Sequence, residues 1–306
     1  MSLLRRLRSS ADAPPDADQR PLVLVVGLQK SGTSLAMRLL ENTGAFSNPL
    51  SFEAKELWGD VPPFAPREFP TGFLYQRSNG ERGHELDAAD ATPDVVSTVR
   101  ERFDTAAADV PAVLLKSPYA TVRLPWIREI FPRAHVVAVI RRPIPNVFSL
   151  LKKHVPNPHT RRGPEEGWWG VKPAGWRELV SDDKVAQAAQ QWERVNAKLW
   201  SDRELVDRIV PYQQLCAEPG ALVEEVAAAT GQTVPSAELE PLDPQDDEPF
   251  RGGPLESANR VFKRTGGFEL EGAERGAERL EGLSPDDRSK VERICAPLAE
   301  RMELNA

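Results

Sequence analysis

Apolar positions along the chain fall into two rhythms. Leu22-Val-Leu-Val-Val26 is an unbroken, β-branched run that stops at Gly27, and from Leu35 the apolar positions take helical spacing, with Leu39 and Leu40 one turn on. A short unbroken run suits a strand buried on both faces, and three-to-four spacing suits a helix with one buried face. The pattern predicts strand, tight loop, helix. Val113 to Leu115 and Ala134 to Ile140 repeat the strand pattern on either side of a helical stretch from Leu124 to Phe131. Asn146 to His154 and Lys184 to Trp200 predict further helices, and Arg208 to Pro211 a fourth short strand before a helix at Leu222 to Ala229. Strand and helix alternate, which predicts an α/β fold of three layers: a central parallel sheet with helices on both faces.

Between these elements lie stretches rich in Pro, Gly and Trp, near 47–83, 155–180 and 238–270. Long irregular insertions in a compact α/β protein are more often lids and acceptor-binding loops than filler. Trp168, Trp169 and Trp176 in the second insertion suit either stacking on an acceptor ring or a small satellite core. Residues 1–20, with Arg5, Arg6 and Arg8 followed by an Ala/Pro/Asp stretch, read as a disordered leader, and 21–306 as a single domain. No apolar run approaches the roughly 20 residues that span a bilayer. Two cysteines, Cys216 and Cys295, are too few for a disulfide framework or a metal cluster and suit a reducing, cytoplasmic compartment.

Charge is unevenly spread. The net value of −7 divides into −10 from Ala217 onward and +3 before it, and Ile130 to Pro164 holds seven Arg or Lys with no Asp or Glu. Such a stretch suits an anionic ligand. A nucleic-acid-binding module would carry excess positive charge overall, and this chain is acidic.

The loop after the first strand carries the most chemistry. Gly27-Leu-Gln-Lys-Ser-Gly-Thr-Ser34 lies between the end of a strand and the start of a helix, where free backbone N–H groups and the helix dipole favour an anion. It has the Gly-x₄-Gly spacing of the Walker A loop, but Thr33 stands where a nucleoside triphosphatase needs Lys, and the lysine, Lys30, lies three residues earlier. A P-loop kinase or ATPase also needs an Asp at a later strand end to hold Mg²⁺, and the later strand ends offer Lys116 and Arg141.

A displaced lysine of this kind resembles the phosphosulfate loop of sulfotransferases that use 3′-phosphoadenosine 5′-phosphosulfate (PAPS). Val136-Val-Ala-Val-Ile-Arg-Arg-Pro-Ile-Pro-Asn-Val-Phe-Ser149 resembles that family's 3′-phosphate signature, a strand ending in Arg-x-Pro with a Ser eight residues after the Arg. Leu114-Leu-Lys-Ser-Pro-Tyr119 with Leu124-Pro-Trp-Ile-Arg-Glu-Ile-Phe-Pro132 resembles its bacterial and carbohydrate-type members, and Val210-Pro-Tyr-Gln-Gln-Leu215 before the helix at Leu222 resembles the late strand and helix that close the family's fold. The resemblance runs from about Leu22 to Gly231. It implies transfer of a sulfuryl group from PAPS to a hydroxyl or amine of a small-molecule, glycolipid or carbohydrate acceptor. The product would be 3′-phosphoadenosine 5′-phosphate (PAP), with no metal, no nucleic-acid partner and no integral membrane segment.

Residue by residue, the resemblance implies that Gly27, Ser31, Gly32, Thr33 and Ser34 cradle the 5′ end of the donor and that Lys30 neutralises the bridging oxygen. Arg141 and Ser149 would hold the 3′-phosphate, and Lys263 with Arg264 would close over it in Lys263-Arg-Thr-Gly-Gly267, ahead of the alternative Arg251-Gly-Gly253. Cytosolic members take their base from the His of a Lys-Thr-His stretch, and Lys116-Ser-Pro118 lacks it. Carbohydrate-type members use a Glu shortly after the first helix. Phe52-Glu-Ala-Lys-Glu-Leu-Trp58 resembles that segment, which makes Glu56 the base, flanked by Lys55, ahead of Glu53 and His154. Lys116 would either reach the sulfuryl or acceptor oxygen or cap the sheet. Leu35 stands where cytosolic members stack a Trp on adenine, and Trp192 reads as helix core.

Overall fold

The computed structural model describes residues 20–50, 53–54, 57, 80–154, 167–234 and 283–304. The chain runs β1 (Leu22–Val26), α1 (Thr33–Glu41), α2 (Pro93–Ala106), β2 (Val113–Lys116), α3 (Leu124–Ile130) and β3 (His135–Ile140). It continues through α4 (Pro143–His154), α5 (Lys184–Ser201), β4 (Arg208–Pro211), α6 (Tyr212–Ala217), α7 (Pro219–Thr230) and α8 (Pro285–Arg301). Among the described residues the sheet has four strands, all parallel, in the order β2-β1-β3-β4.

That order puts a topological switch at β1. The chain leaves β1 for β2 on one side and returns past it to β3 on the other, so connections diverge above the carboxyl ends of β1 and β3. Ligands in open α/β sheets bind in this crevice. Register keeps the strand ends close: Val25 lies opposite Lys116, Val26 opposite Ala138, and Ile140 opposite Pro211. The residues that follow the strands, Gly27, Ser117, Arg141 and Tyr212, therefore share one edge of the sheet.

Both faces of the sheet are covered, as a parallel sheet requires. Leu22, Leu24 and Val26 face a core shared with α2, α3, α4, α5 and α8, whereas Val23 and Val25 face α1, α6 and α7. The five β1 side chains are all buried, which is why the run has no polar alternation.

The elements differ from the sequence expectation in ways that trace to proline. α4 starts at Pro143 and α7 at Pro219, each three residues before its expected start. Proline in a first helical turn gives up an N–H that has no intrahelical partner there, so it opens these helices. α2 and α8 were not expected at all. Both begin with a cap followed by Pro, Thr92-Pro93 and Ser284-Pro285, and both cap hydroxyls accept from a backbone N–H of the first turn. α8 packs on α5 and α4 and places Val291, Cys295 and Leu298 in the core. Arg20, assigned to the leader, is buried beside β1.

The described part of the Trp-bearing insertion, from 167 onward, packs on itself. Trp168 and Trp176 are buried and meet edge to face with centroids 6.0 Å apart, and the Trp168 Nε1–H donates to the Val171 carbonyl at 2.9 Å. Lys172 and Arg177 lie over the Trp176 ring at 4.2 and 4.7 Å. These two indoles form the satellite core, one of their two expected roles. The insertion near 238–270, with Arg251, Lys263 and Arg264, lies outside the described residues, as do Glu56 and Lys55.

Candidate active site

The 27–34 loop turns tightly at the switch point. The Ser31 N–H donates to the Leu28 carbonyl at 3.1 Å, and the Gly27 N–H donates to Thr121 Oγ1 at 2.7 Å, which ties the loop to the segment after β2. Lys30 holds a left-handed backbone, φ 69°, uncommon for a residue with a side chain. Its carbonyl accepts from Arg141 Nη1 at 3.2 Å, and the Gln29 carbonyl accepts from Asn146 Nδ2 at 2.9 Å. The turns after β1 and β3 are thus held together by two hydrogen bonds.

Gly32 caps α1 with φ 113°, and a Cβ there would lie 2.4 Å from Cδ2 of Tyr212. Gly32→Ala is expected to cost about 1–3 kcal/mol through this clash and the strained φ. A lower Tm than wild type checks it, and an unchanged Tm refutes the strain. Beyond Gly32 the first N–H groups of α1 have no intrahelical acceptor by construction, and the Thr33 and Ser34 hydroxyls stand beside them.

Arg141 follows β3 and is buried, with its guanidinium carbon 4.4 Å from the Tyr212 ring centroid. Trp192 Nε1–H from α5 donates to the Arg141 carbonyl at 3.0 Å, so the helix fixes the backbone that aims this cation. Trp192 is core, as expected, and also an anchor; nothing in the sequence links α5 to the turn after β3. Ser149 lies two turns along α4, and its hydroxyl donates to the Pro145 carbonyl at 2.9 Å, so it must rotate away to serve a phosphate.

Lys116 ends β2 almost fully buried, and its Nζ lies 3.0 Å from Glu53 Oε1. Burial pushes the Lys116 pKa below the usual lysine range, and the Glu53 carboxylate acts in the opposite direction. Beside the two roles expected for Lys116, the structure pairs it with Glu53, the carboxylate ranked second as base. His154 is the last residue of α4. Among the described residues, no cluster of His, Cys, Asp or Glu has the makings of a metal site.

The donor set fits a phosphorylated anion. Ser31 Oγ and Ser117 Oγ are buried without a hydrogen-bond partner, one in the loop and the other at the end of β2. The Ser117 N–H donates to the Val25 carbonyl at 3.0 Å, which keeps it next to β1. An unsatisfied buried hydroxyl costs about 1–3 kcal/mol, a penalty that an anion accepting from both would remove. Lys30, Lys116 and Arg141 bring three cations to the ends of three adjacent strands.

The parallel sheet and the glycine loop at the switch point define a P-loop-like α/β fold. A sequence profile described as the Sulfotransferase family matches residues 21–236, and the chain belongs to that family. It is therefore a transferase. The match spans both motif turns and stops before α8. No curated protein matches the chain. Among solved structures it is similar to the sulfotransferase domain of the Synechococcus PCC 7002 olefin synthase, with 15% identity over 92% of this chain and 96% of that one and a TM-score of 0.49. It is similar to the sulfotransferase domain from the curacin biosynthetic pathway at 13% identity, over 92% and 98%, with a TM-score of 0.48. Sulfotransferase STF1 from Mycobacterium tuberculosis H37Rv is 18% identical over 86% and 77%, with a TM-score of 0.41.

Proposed function

We propose that the protein transfers a sulfuryl group from PAPS to a hydroxyl or amine of a small-molecule, glycolipid or carbohydrate acceptor, without a metal. The observation that carries this reading is the hydrogen bond from Arg141 to the Lys30 carbonyl. It brings a cation suited to a 3′-phosphate beside a loop suited to a 5′-phosphosulfate. Bound there, the donor supplies a sulfuryl group whose bond to the bridging phosphate oxygen breaks as the acceptor oxygen or nitrogen bonds to sulfur.

The chain's own part is positioning and charge. Loop N–H groups with Ser31, Thr33 and Ser34 hold the 5′ end, and Lys30 meets the negative charge that gathers on the bridging oxygen. Arg141 and Ser149 grip the 3′-phosphate, with Lys263 and Arg264 closing over it. Lys116, opposite Val25 at the end of β2, steadies a sulfuryl oxygen. A carboxylate of the Phe52–Trp58 segment takes the acceptor's proton: Glu56 by resemblance, with Glu53 as the one held against Lys116.

Isothermal titration in excess EDTA with PAP, ATP and adenosine 5′-phosphosulfate tests the reading. PAP is expected to bind most tightly, and Arg141→Ala to weaken it by about tenfold or more, the value of a hydrogen bond to a charged group. Preference for ATP, a requirement for Mg²⁺, or no nucleotide binding would overturn it.

A further inference from the structure

Segments 81–85 and 170–175 are bonded to each other, and the second of them meets the phosphate-binding loop through one side chain. His84 N–H donates to the Lys172 carbonyl at 2.7 Å, and the Lys172 N–H donates back to His84 Nδ1 at 2.8 Å. The Gly175 N–H donates to the Glu81 carbonyl at 2.7 Å, and the Ala174 N–H to Glu85 Oε1 at 2.8 Å. Residues 81–85 and 172–175 therefore form one laced unit.

That unit touches the loop at Gln29. The Val171 N–H, fully buried, donates to Gln29 Oε1 at 3.2 Å. Gly170 holds φ 86°, and a Cβ there would meet the Gln29 amide at 2.9 to 3.1 Å, so the backbone fits this side chain closely. From the other side, α5 fixes the same stretch: Gln191 Nε2 donates to the carbonyls of Trp169 and Val171 at 2.9 and 3.0 Å. Gln29 is itself held by Asn146 of α4 through its carbonyl. One residue thus has its backbone in the donor loop's frame and its amide in the insertion's.

We propose that Gln29 is a positioning residue that clasps segment 167–172 onto the phosphate-binding loop, so that nucleotide in the loop and order in the insertion unit reinforce each other. The coupling rests on the donor reading above; the clasp itself does not. A ligand that fixes the loop fixes the Gln29 amide and with it the acceptor of the Val171 N–H. By reciprocity, loosening segment 167–172 weakens the hold on nucleotide. Neither role needs Gln29 to touch the donor.

Hydrogen–deuterium exchange resolved over 167–172 tests both halves in wild type, Gln29→Met, which keeps volume without an acceptor, and Gly170→Ala, which strikes the same contact from the opposite side. Without nucleotide, both variants are expected to exchange this segment about fivefold or more faster than wild type, while β1 and β3 amides stay unchanged. Equal exchange in wild type and Gln29→Met overturns the clasp whether or not nucleotide binds. With saturating PAP, the wild-type segment is expected to slow about fivefold or more and the variants less than about twofold. Full protection in Gln29→Met, or none in wild type that has bound PAP, overturns the coupling. Absence of PAP binding to wild type overturns the donor reading and the coupling with it, and leaves the nucleotide-free comparison to decide the clasp.

Discussion

Lys30→Met is expected to lower PAP formation from saturating PAPS by about 10²- to 10³-fold while changing PAP affinity far less. The asymmetry follows from when the lysine is needed. Charge gathers on the bridging oxygen only as its bond to sulfur breaks, so a cation placed there acts mainly on the transition state. On the proposed reading, the loop's other donors, backbone N–H groups and the Ser31, Thr33 and Ser34 hydroxyls, survive the substitution and keep their hold on the product. The structure adds a reason to think the geometry is deliberate: Lys30 holds a left-handed backbone that costs about 1 kcal/mol or more, and Arg141 bonds the carbonyl that this conformation presents. Single-turnover rates and PAP titration on the same protein check the prediction. A loss under about tenfold would move the role to Lys116, and an equal loss in rate and affinity would make Lys30 a plain binding residue.

The residues proposed for this site could be named from the chain because they are local. Gly27 to Ser34 is a contiguous loop, and Arg141 with Ser149 sit at fixed spacing on one strand and helix, so a pattern of residue types was enough to pick them out. The alternation of β-branched runs with helical spacing likewise gave the parallel sheet, since both faces of β1 are buried and no polar position interrupts it. What escaped was either punctuation or long-range contact. Pro143, Pro145, Pro219 and Pro285 open helices where a proline at first sight ends one. The cap-then-proline pairs at Thr92 and Ser284 were the available signal for α2 and α8. Thr121, Tyr212, Trp192 and Asn146 each touch the loop or Arg141 from a distant element, and no spacing in the sequence relates them. Gln29 is the sharpest case: it was not among the loop residues singled out, and its partner Val171 is 142 residues away.

Glu53→Gln is expected to destabilise the protein by about 3 kcal/mol near pH 6, with a deficit that shrinks as pH rises. Lys116 has little access to water, and the Glu53 carboxylate at 3.0 Å offsets part of the penalty of burying its charge. The amide keeps the size of the side chain but not the charge, so the buried ammonium loses its carboxylate partner. One fifth of the Glu53 side chain remains exposed, which puts the effect at the lower end for a broken buried pair. Burial already holds the Lys116 pKa down in the folded protein, and losing Glu53 lowers it further. Above that lowered value the folded variant sheds a proton that the unfolded chain keeps to about pH 10, so rising pH favours the folded state and recovers stability relative to wild type. Denaturant unfolding at about pH 6 and about pH 9 reads the change. A deficit independent of pH would mean that Lys116 is not the charge at issue. Adding Lys116→Met to Glu53→Gln removes the buried charge and is expected to restore most of the stability, because no ion is then held out of water and the amide at position 53 stands where one fifth of the native side chain is exposed. Turnover in that double variant then separates the two roles open to the pair. Activity that returns with stability makes Glu53 and Lys116 a strut under the end of β2, and Glu56 the residue to test as base. Activity that stays lost in a stably folded protein puts the pair in the chemistry, with the ammonium on the sulfuryl oxygen and the carboxylate on the acceptor's proton.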